Sequence, residues 1–361
     1  MRVLLAGGGT AGHTSPLIAT ADALRRRTQD VEICCLGTER GIETRVIPAA
    51  GYRLELIPPV PLPRKPSTEL LRVPLRMRDA VSAARRLIDT FKPDVVVGFG
   101  GYVSTPAYLA ARRAKVPVVV HEGNALPGLA NRFGARFCTR HVATSFPDTK
   151  LPHARYIGLP IRRAISTLDR AELRPLARAH FGLDQDLPTL LVTGGSQGSK
   201  RINDSVSAGV ADFAAAGVQV LHVTGRKGVA EVPSDSGTLR PAYVVVPYVD
   251  RMDLAYAAAD AAIGRCGANS VTEMASLGLP AVFVPLPIGN GEQALNARAV
   301  VEAGGAVLVD DGDFTPSWVR RHVPAMVSDT TRLQEMSRAS SGLIRRDADD
   351  VLTSMIIEAA Q

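Results

Sequence analysis

Two glycine-rich segments follow apolar runs, and each could bring the backbone close to a phosphate. The first is GGGTAG at 7–12, directly before His13, and the second is GGSQG at 194–198. Glycines let a ligand approach the backbone, and a helix that follows offers free N–H groups and the positive end of its dipole. Neither segment has the Walker spacing G-x-x-x-x-G-K-[ST]. Tight strand–helix packing explains either turn alone equally well, but two in one chain indicate a nucleotide or phosphate site.

The segment 264–296 offers a phosphate site and a carboxylate together. Small residues follow an apolar run, and a helix is predicted at 269–277, with Glu273 within its first turn or so. A carboxylate there would repel a phosphate unless it bound something else, such as the hydroxyls of a ribose. A nucleoside diphosphate has both groups, so this segment favours it as the ligand. An ordinary βαβ unit with a charged helix start is the alternative.

Three polar residues are candidates for proton transfer or hydrogen bonding. His13 ends the first glycine turn, where it could take a proton from an acceptor hydroxyl, cap the helix or donate to a phosphate. Glu122 and Asn124 follow a predicted strand together with His121, and polar residues at a strand end are expected in a crevice rather than in the core. Glu122 is a second candidate base, and Asn124 could bind a sugar or an acceptor. A hydrogen-bonded loop is the alternative for both.

Short apolar runs that alternate with helical stretches would position these residues. Strands are predicted at 3–6, 31–36, 54–57, 95–98, 118–120, 189–193, 218–223, 243–246, 281–284 and 306–309. Because the runs are apolar throughout, they predict parallel sheets with both faces covered. The first helix is expected from about Pro16 to Arg27, since proline suits the first turn of a helix. The predicted fold class is α/β.

The pattern of strand, glycine turn and helix starts twice, which predicts two Rossmann-like, doubly wound domains. The length of 361 residues also exceeds what one core usually holds. The expected divisions are a first domain at 1–162, a second at 163–340, and a helical segment at 341–361 that packs back on the first. Because ligands bind at the carboxyl ends of parallel strands, both glycine turns are expected to face a common cleft.

Composition limits the class of partner. The formal charge of +7 suits nucleotides, anionic lipid surfaces or nucleic acid, but aromatic residues make up only 5% and no recognition motif interleaves them with basic residues. Nucleic acid is therefore not expected. The four cysteines lack C-x-x-C spacing, which favours reduced thiols and the cytoplasm. No apolar run is long enough to cross a bilayer, so any membrane contact would be peripheral.

No metal and no cofactor are expected. Three Asp-x-Asp pairs occur, but one opens a predicted helix, two lie in predicted surface turns, and no cluster has zinc spacing. The charge of a phosphate would then be met by backbone amides and by basic side chains such as Arg162.

The segment 61–86 combines basic and apolar side chains. Its Arg and Lys residues flank Leu70, Leu71, Val73, Leu75 and Met77. Basic residues around exposed apolar ones attach a soluble domain to an anionic bilayer, and each charge contributes about 1 kcal/mol. An ordinary helix with its apolar face in the core explains the segment about equally well.

Six motifs, in order along nearly the whole chain, resemble those of the MurG family and most of all its actinobacterial branch. They are GGTAGH (8–13), GFGGYVSTPA (98–107), HEGN (121–124), GLPIR (158–162), GGSQGS (194–199) and the segment 264–296. That family moves N-acetylglucosamine from its UDP form to the 4-hydroxyl of the muramyl sugar of undecaprenyl-linked lipid I. The resemblance implies a GT-B fold, an inverting reaction without a metal, formation of lipid II for peptidoglycan, and a peripheral place on the cytoplasmic face of the cell membrane.

The resemblance also implies roles for single residues. His13 would be the leading candidate base and Glu122 the other, while Gly101 and Tyr102 would lie on the acceptor side. Contacts to the UDP-sugar, or to the acceptor beside it, would come from Thr10, Ala11, Gly12, Asn124, Arg162, Ser196, Gln197, Val249, Ala268, Asn269, Ser270, Val271, Thr272, Glu273, Glu292 and Gln293. Among these, Glu273 would bind the ribose.

Four departures from the family motifs bear on the sugar and the acceptor. Asn269 stands where an apolar residue is usual, Leu159 replaces the asparagine of a common GNP, Gly123 replaces the usual glutamine or alanine, and the segment 13–16 has a more polar middle than usual. The uridine and phosphate contacts are unaffected. A relative that glycosylates a natural product or another acceptor fits these changes. Two further alternatives are a UDP-N-acetylglucosamine 2-epimerase on the same scaffold and a non-catalytic nucleotide-binding member of a membrane assembly.

Overall fold

The chain forms two compact units, each built on a wholly parallel sheet. A computed structural model describes residues 1–60, 71–233, 240–288 and 290–361. Unit 1 comprises Met1–Arg162 and Arg346–Gln361, and unit 2 comprises Arg163–Arg345. The sheets have seven and six strands. The prediction of two parallel α/β sheets is therefore confirmed.

In unit 1 the sheet order is β3-β2-β1-β4-β5-β6-β7. Its strands are β1 (Arg2–Ala6), β2 (Glu32–Thr38), β3 (Arg53–Ile57), β4 (Val95–Gly98), β5 (Val118–Glu122), β6 (His141–Thr144) and β7 (Ala154–Tyr156). Its helices are α1 (Ala11–Arg27), α2 (Glu43–Ala49), α3 (Val73–Phe91), α4 (Ser104–Ala114), α5 (Leu129–Phe137) and α15 (Ala348–Ala359). The chain winds outward from β1 in one direction and resumes at β4 in the other, which opens a crevice beyond the ends of these two strands.

Both faces of the unit 1 sheet are covered, which explains its uninterrupted apolar strands. Successive residues of β1 point to opposite faces, so Leu4 joins one buried cluster and Leu5 joins the other. Helices α3 and α4 cover the first face, where Tyr108 is buried, and α1 and α15 cover the second, where Ile356 is buried. Parallel strands in such a sandwich leave only their ends free for function.

Unit 2 repeats this winding with the order β10-β9-β8-β11-β12-β13. Its strands are β8 (Thr189–Thr193), β9 (Gln219–Val223), β10 (Tyr243–Val246), β11 (Ala261–Arg265), β12 (Ala281–Val284) and β13 (Ala306–Leu308). Its helices are α6 (Arg163–Ser166), α7 (Arg170–Phe181), α8 (Lys200–Ser207), α9 (Val210–Ala215), α10 (Met252–Ala258), α11 (Ala268–Ser276), α12 (Glu292–Glu302), α13 (Pro316–Ser328) and α14 (Thr330–Ser340). The direction changes between β8 and β11, so the second crevice lies beyond those two strands.

The segment after unit 2 returns to unit 1. Helix α15 packs along α1, where Leu352 and Ile356 join the buried cluster that contains Leu17. Asp349, which is almost fully buried, pairs with Arg26 of α1 at 2.8 Å. Burial of this apolar face and one buried carboxylate fix the helix on the unit.

The first helix begins at Ala11, not at the predicted Pro16. The amides of His13 and Thr14 both donate to the carbonyl of Thr10, so the backbone is already helical there. Pro16 lies in the second turn, where it cannot donate to the carbonyl of Gly12. His13 therefore sits in the first turn of a helix rather than in the loop before it.

Candidate active site

A cavity of about 700 Å³ occupies the crevice of unit 1. The loops after β1, β4 and β5 border it, and apolar side chains of Met77, Leu129 and Phe133 form part of its wall. Six predicted site residues line it: Thr10, His13, Gly101, Tyr102, Glu122 and Asn124. The sheet order explains why they meet, because β5, β4 and β1 are neighbours and end at the same edge. The cavity thus combines polar groups that could act on a hydroxyl with an apolar wall.

His13 presents one ring nitrogen for chemistry. Its Nδ1 lies 2.9 Å from the carbonyl oxygen of Gly8. A carbonyl can only accept a hydrogen bond, so Nδ1 carries the proton and the lone pair of the neutral ring is on Nε2. The imidazole is half-buried and lines the cavity. In this tautomer Nε2 can receive a proton from a bound hydroxyl.

The carboxylate of Glu122 is hydrogen-bonded within the loop that follows β5. It is buried at the end of β5, and its two oxygens accept hydrogen bonds from the amide of Asn124 at 2.9 Å, the amide of Gly128 at 3.0 Å and Nδ2 of Asn131 at 3.0 Å. Three donors on one carboxylate leave little capacity for a transferred proton. The geometry therefore favours His13 over Glu122 as the base.

His121 lies in the core, so the expectation that it faces the crevice is wrong. It belongs to β5 and is fully buried, with its ring centre 5.5 Å from that of Phe99 and Nε2 3.3 Å from Oγ of Ser145. Burial lowers its pKa to about 4, which keeps the imidazole neutral. Strand β5 extends two residues past its predicted end, so His121 lies within the strand, whereas Glu122 and Asn124 line the cavity.

In unit 2 the predicted donor residues gather beyond β8, β11 and β12. Thr193 and Gly264 are paired in register, so the strands end side by side. Ser196 and Gln197 are exposed in the turn after β8, and Asn269 and Ser270 are half-buried at the start of α11. The helix has Gly267 at its N-cap, with no side chain to cap the first turn, and the positive end of the helix dipole lies there. This arrangement can bind a diphosphate.

Several other predicted donor residues have restricted access. Ala268, Val271 and Thr272 are buried at the start of α11, and Val249 is also buried, so their side chains offer a ligand little surface. The amide of Val271 bonds to the carbonyl of Gly267. Ala11 and Gly12 form the first turn of α1, where they are half-buried.

Glu273 was predicted within the first turn or so of a helix at 269–277; α11 begins at Ala268, which places Glu273 in its second turn. Its Oε2 accepts a hydrogen bond of 2.8 Å from the hydroxyl of Tyr256. Glu292 and Gln293, predicted in a loop, are the first two residues of α12, and Oε1 of Gln293 accepts from the amide of Leu286 at 3.0 Å. Arg162 is exposed at the last position of the first segment of unit 1.

Two charged residues that the sequence did not single out border the glycine turns. Glu43 begins α2, beside the turn of residues 7–10, here called turn 1. Arg265 ends β11 and donates to Oγ of Ser199 at 2.7 Å, beside the turn of residues 194–199, here called turn 2. Arg265 also pairs with Asp311 at 2.6 Å. Glu43 follows β2, the neighbour of β1, and Arg265 is the last residue of β11, the neighbour of β8, so strand pairing brings each residue to its turn and no local sequence signal marks it.

Neither a metal-ligand cluster nor a membrane-spanning helix occurs within the described ranges. Among residues 1–60, 71–233, 240–288 and 290–361, no three His, Cys, Asp or Glu side chains group as ligands for a metal ion. No helix in those ranges combines the length and the apolar character needed to cross a bilayer.

Family models match both units. The glycosyltransferase family 28 N-terminal domain matches residues 3–143, and the glycosyltransferase family 28 C-terminal domain matches residues 189–352. A protein of a Nocardioides species is 63% identical, and one of Streptomyces avermitilis is 58% identical, each over 99% of this chain and 98% of the relative. Both relatives are named UDP-N-acetylglucosamine–N-acetylmuramyl-(pentapeptide) pyrophosphoryl-undecaprenol N-acetylglucosamine transferase.

Solved structures agree with this similarity. MurG of Acinetobacter baumannii matches with a TM-score of 0.78 and 27% identity over 99% of each chain. A UDP-GlcNAc 2-epimerase from Neisseria meningitidis bound to UDP-GlcNAc has a TM-score of 0.64 at 15% identity, over 99% of this chain and all of that one, and so shares the fold alone. The fold is the GT-B fold that the motifs predicted. From the matched family models and the full-length relatives, the chain belongs to glycosyltransferase family 28 and, within it, to the MurG family.

Proposed function

We propose that this chain transfers N-acetylglucosamine from UDP-N-acetylglucosamine to the 4-hydroxyl of the muramyl sugar of undecaprenyl-linked lipid I, which gives lipid II for peptidoglycan. The name shared by its full-length relatives supports both substrates. The observation that carries the chemistry is His13, whose Nδ1 is bonded to the Gly8 carbonyl while its ring lines the cavity of unit 1.

In the proposed reaction the acceptor oxygen attacks the anomeric carbon as its proton moves to Nε2 of His13. The bond from that carbon to the UDP oxygen breaks, and UDP leaves with the electron pair. The attack comes from the side opposite the leaving group, so the configuration inverts. A base within hydrogen-bond reach of the hydroxyl supplies the usual rate gain of about a hundredfold or more.

Unit 2 holds the donor in this proposal. Amides of turn 2 and of the start of α11 face the diphosphate, and the hydroxyl of Ser196 adds to them. Glu273 binds the ribose, in an orientation set by the hydroxyl of Tyr256. Donors already oriented toward the developing negative charge need no rearrangement during the reaction, and removing one costs on the order of a hundredfold in turnover.

The enzyme is further proposed to contact an anionic membrane surface through the start of α3 and its approach. Leu71 is 80% exposed and Leu75 is 56% exposed, and the neighbouring Arg72 and Arg78 are also exposed. The rest of the predicted basic segment, 61–70, lies outside the described residues. Exposed leucines among arginines gain both apolar burial and charge attraction at such a surface.

Vesicle binding tests the membrane proposal. The double variant Leu71→Ser and Leu75→Ser should sediment less with vesicles of anionic lipid and keep its turnover on a short-chain soluble acceptor. Leu176→Ser, a 59% exposed position of unit 2, is the matched control and should sediment as the wild type does. Equal sedimentation of all three proteins would count against this surface.

Turnover assays test the reaction itself. Purified protein is incubated with a panel of UDP-sugars, with and without a lipid I analogue and with EDTA, and products are identified by mass. We expect a disaccharide product only with UDP-N-acetylglucosamine and acceptor, unchanged by EDTA. His13→Ala should lower kcat by about a hundredfold or more, whereas His180→Ala, at an exposed position, should not. Sugar conversion without acceptor would instead identify an epimerase.

A further inference from the structure

The peptide unit that joins Gly8 to Gly9 makes a hydrogen bond on each of its sides. Its carbonyl accepts from Nδ1 of His13 at 2.9 Å. Its N–H donates to Oε2 of Glu43 at 2.8 Å. A single peptide plane therefore connects a carboxylate to the imidazole that is proposed to act as the base.

Glu43 occupies a site shaped for a carboxylate. The residue is 0% exposed. Its Oε1 accepts from the amide and from the hydroxyl of Thr38, both at 3.0 Å. Each oxygen thus accepts a backbone N–H bond, which is the pattern of an ionised carboxylate.

Three glycines surround this side chain and leave room for it. A Cβ would lie 2.3 Å from Oε1 at Gly8, 2.6 Å from Cγ at Gly37 and 1.7 Å from Oε2 at Gly41. The side chain of Glu43 therefore fits here only because these three positions are glycines. The loops after β1 and β2 both contribute residues to this site. The Gly8 to Gly9 peptide, which follows β1, is therefore held by a side chain that follows the neighbouring strand, β2.

We propose that Glu43 is a positioning residue for His13 and acts through the Gly8 to Gly9 peptide. This rests on the proposed role of His13 as the base. A hydrogen bond from the peptide N–H to an anion polarises the peptide, which makes the Gly8 carbonyl a stronger acceptor for Nδ1–H. That bond fixes the tautomer with Nε2 free and strengthens further when the ring takes the proton. The arrangement resembles a carboxylate that orients a catalytic histidine, with one peptide plane in between.

Glu43→Gln tests the proposal because it keeps the shape and removes the charge. The tautomer of His13 is read from long-range ¹H–¹⁵N correlations of histidine-labelled protein without substrate. We expect the wild type to carry its proton on Nδ1 and the variant to show a mixture of tautomers. Glu39→Gln is the matched control, since Glu39 is exposed in the same loop and should leave the tautomer unchanged. A fixed Nδ1–H tautomer in Glu43→Gln would overturn the proposal.

Turnover gives a second, independent measure. We expect kcat of Glu43→Gln to fall by about tenfold to a hundredfold, because the base is less well oriented, with KM for UDP-N-acetylglucosamine within about threefold of the wild type. In a His13→Ala background the same substitution should add almost nothing to the loss, since its effect passes through the missing ring. An equal, additive loss in that background would show a purely structural role and refute the proposal.

The two readouts keep this inference distinct from the proposed function. If His13→Ala retains full turnover, the base assignment fails, yet a tautomer change in Glu43→Gln still supports the coupling of Glu43 to His13. If Glu43→Gln folds poorly, the shorter Glu43→Asp, which retains the charge, is used in the same cycle. A loss of kcat in Glu43→Asp that persists undiminished without His13 would overturn the coupling.

Discussion

Turn 1 and turn 2 follow equivalent strands of the two units, β1 and β8, each beside the point where the winding reverses. Their supports carry opposite charges. Behind turn 1 lies the buried carboxylate of Glu43, which accepts the amide of Gly9. Behind turn 2 lies the guanidinium of Arg265, which donates to Ser199, and the amide of Arg226 donates to the carbonyl of Ser196 at 3.3 Å.

This difference in charge matches the group that each turn is proposed to support or bind. Turn 1 supports an imidazole that is proposed to become a cation during the reaction, and a nearby carboxylate would stabilise that charge. Turn 2 is proposed to bind a diphosphate, which a carboxylate beside it would repel. One fold repeated twice therefore places charges of opposite sign beside its glycine turns, and it does so from different positions: Glu43 begins α2 after β2, and Arg265 ends β11.

Gly198→Ala should cause the largest loss, and only in unit 2. A Cβ there would lie 2.1 Å from the carbonyl oxygen of Thr224, and φ is +82°. Overpacking against backbone and the left-handed conformation together should cost about 3 to 4 kcal/mol. Urea unfolding followed by the fluorescence of Trp318, the one tryptophan of the sequence, reports on unit 2.

The control for this variant is Gly195→Ala in the same turn. Its φ is +85°, but no atom lies within 4 Å of the added Cβ. Only the conformational strain remains, so we expect a loss of about 1 kcal/mol. Equal losses for the two variants would show that close packing against Thr224 does not hold turn 2.

Acid should weaken the support of turn 2. Nε2 of His222 lies 3.1 Å from Oδ1 of Asn203, whose Nδ2 donates to the Thr224 carbonyl at 3.0 Å. Burial lowers the pKa of His222 from 6.5 to about 4. The unfolded chain binds the proton first as pH falls, so stability from neutral His222 is complete above pH 6.5 and declines toward pH 4, by up to about 3 kcal/mol.

Unfolding curves between pH 7 and pH 4 check this expectation. His222→Gln should flatten the acid-induced decline seen through Trp318. His121→Gln should leave that curve unchanged, because His121 is buried in unit 1. An undiminished decline in His222→Gln would assign the acid sensitivity to other groups.

Arg265→Met tests whether the cation behind turn 2 serves the donor. Within the part of the chain that the structure describes, Asp311 would keep only the ion pair with Arg201, at 3.7 Å, and both members of the Arg265 pair are partly exposed. We expect unit 2 to lose about 2 kcal/mol, less than for a fully buried pair, and UDP affinity measured by calorimetry to fall about tenfold. Adding Asp311→Asn should restore stability without restoring affinity. Glu43→Gln should leave UDP affinity unchanged, and a loss there would remove the contrast between the turns.

The smallest effects concern the caps of the two helices that follow the turns. Oγ of Ser199 accepts from the amide of Ile202 at the start of α8, whereas the side chain of Thr10 makes no such bond at the start of α1. Ser199→Ala should cost about 1 kcal/mol and Thr10→Ala less than half of that. Chemical denaturation of both variants compares them directly, and a larger cost for Thr10→Ala would contradict the assignment.

Local patterns predicted most of the elements but not the contacts between them. Apolar runs gave the strand positions and the two parallel sheets, because a strand covered on both faces needs apolar residues throughout. Pro16 misled the prediction of α1, since this helix accommodates the proline in its second turn despite the hydrogen bond that it cannot make to the carbonyl of Gly12. His121 was placed wrongly because β5 runs two residues further than its apolar stretch.

Site residues that lie next to a motif could be predicted from the sequence. Site residues that neighbouring strands supply could not. His13 follows a glycine turn directly, so its place beside the cavity could be expected. Glu43 lies 34 residues from Gly9 along the chain and reaches it because β2 is hydrogen-bonded to β1. Strand order depends on the whole fold, so a single sequence gives no local sign of such a contact.

The return of α15 to unit 1 has a consequence for the order of folding during synthesis on the ribosome. Unit 2 is an insertion between the two parts of unit 1, and residues 346–361 are translated after it. Until these residues are synthesised, the apolar face with Leu17 and Leu24 is not covered by Ile356. Unit 2 can fold first, which reverses the usual amino-terminal-first order of domain folding. Completion of the half that carries His13 is deferred to the last helix.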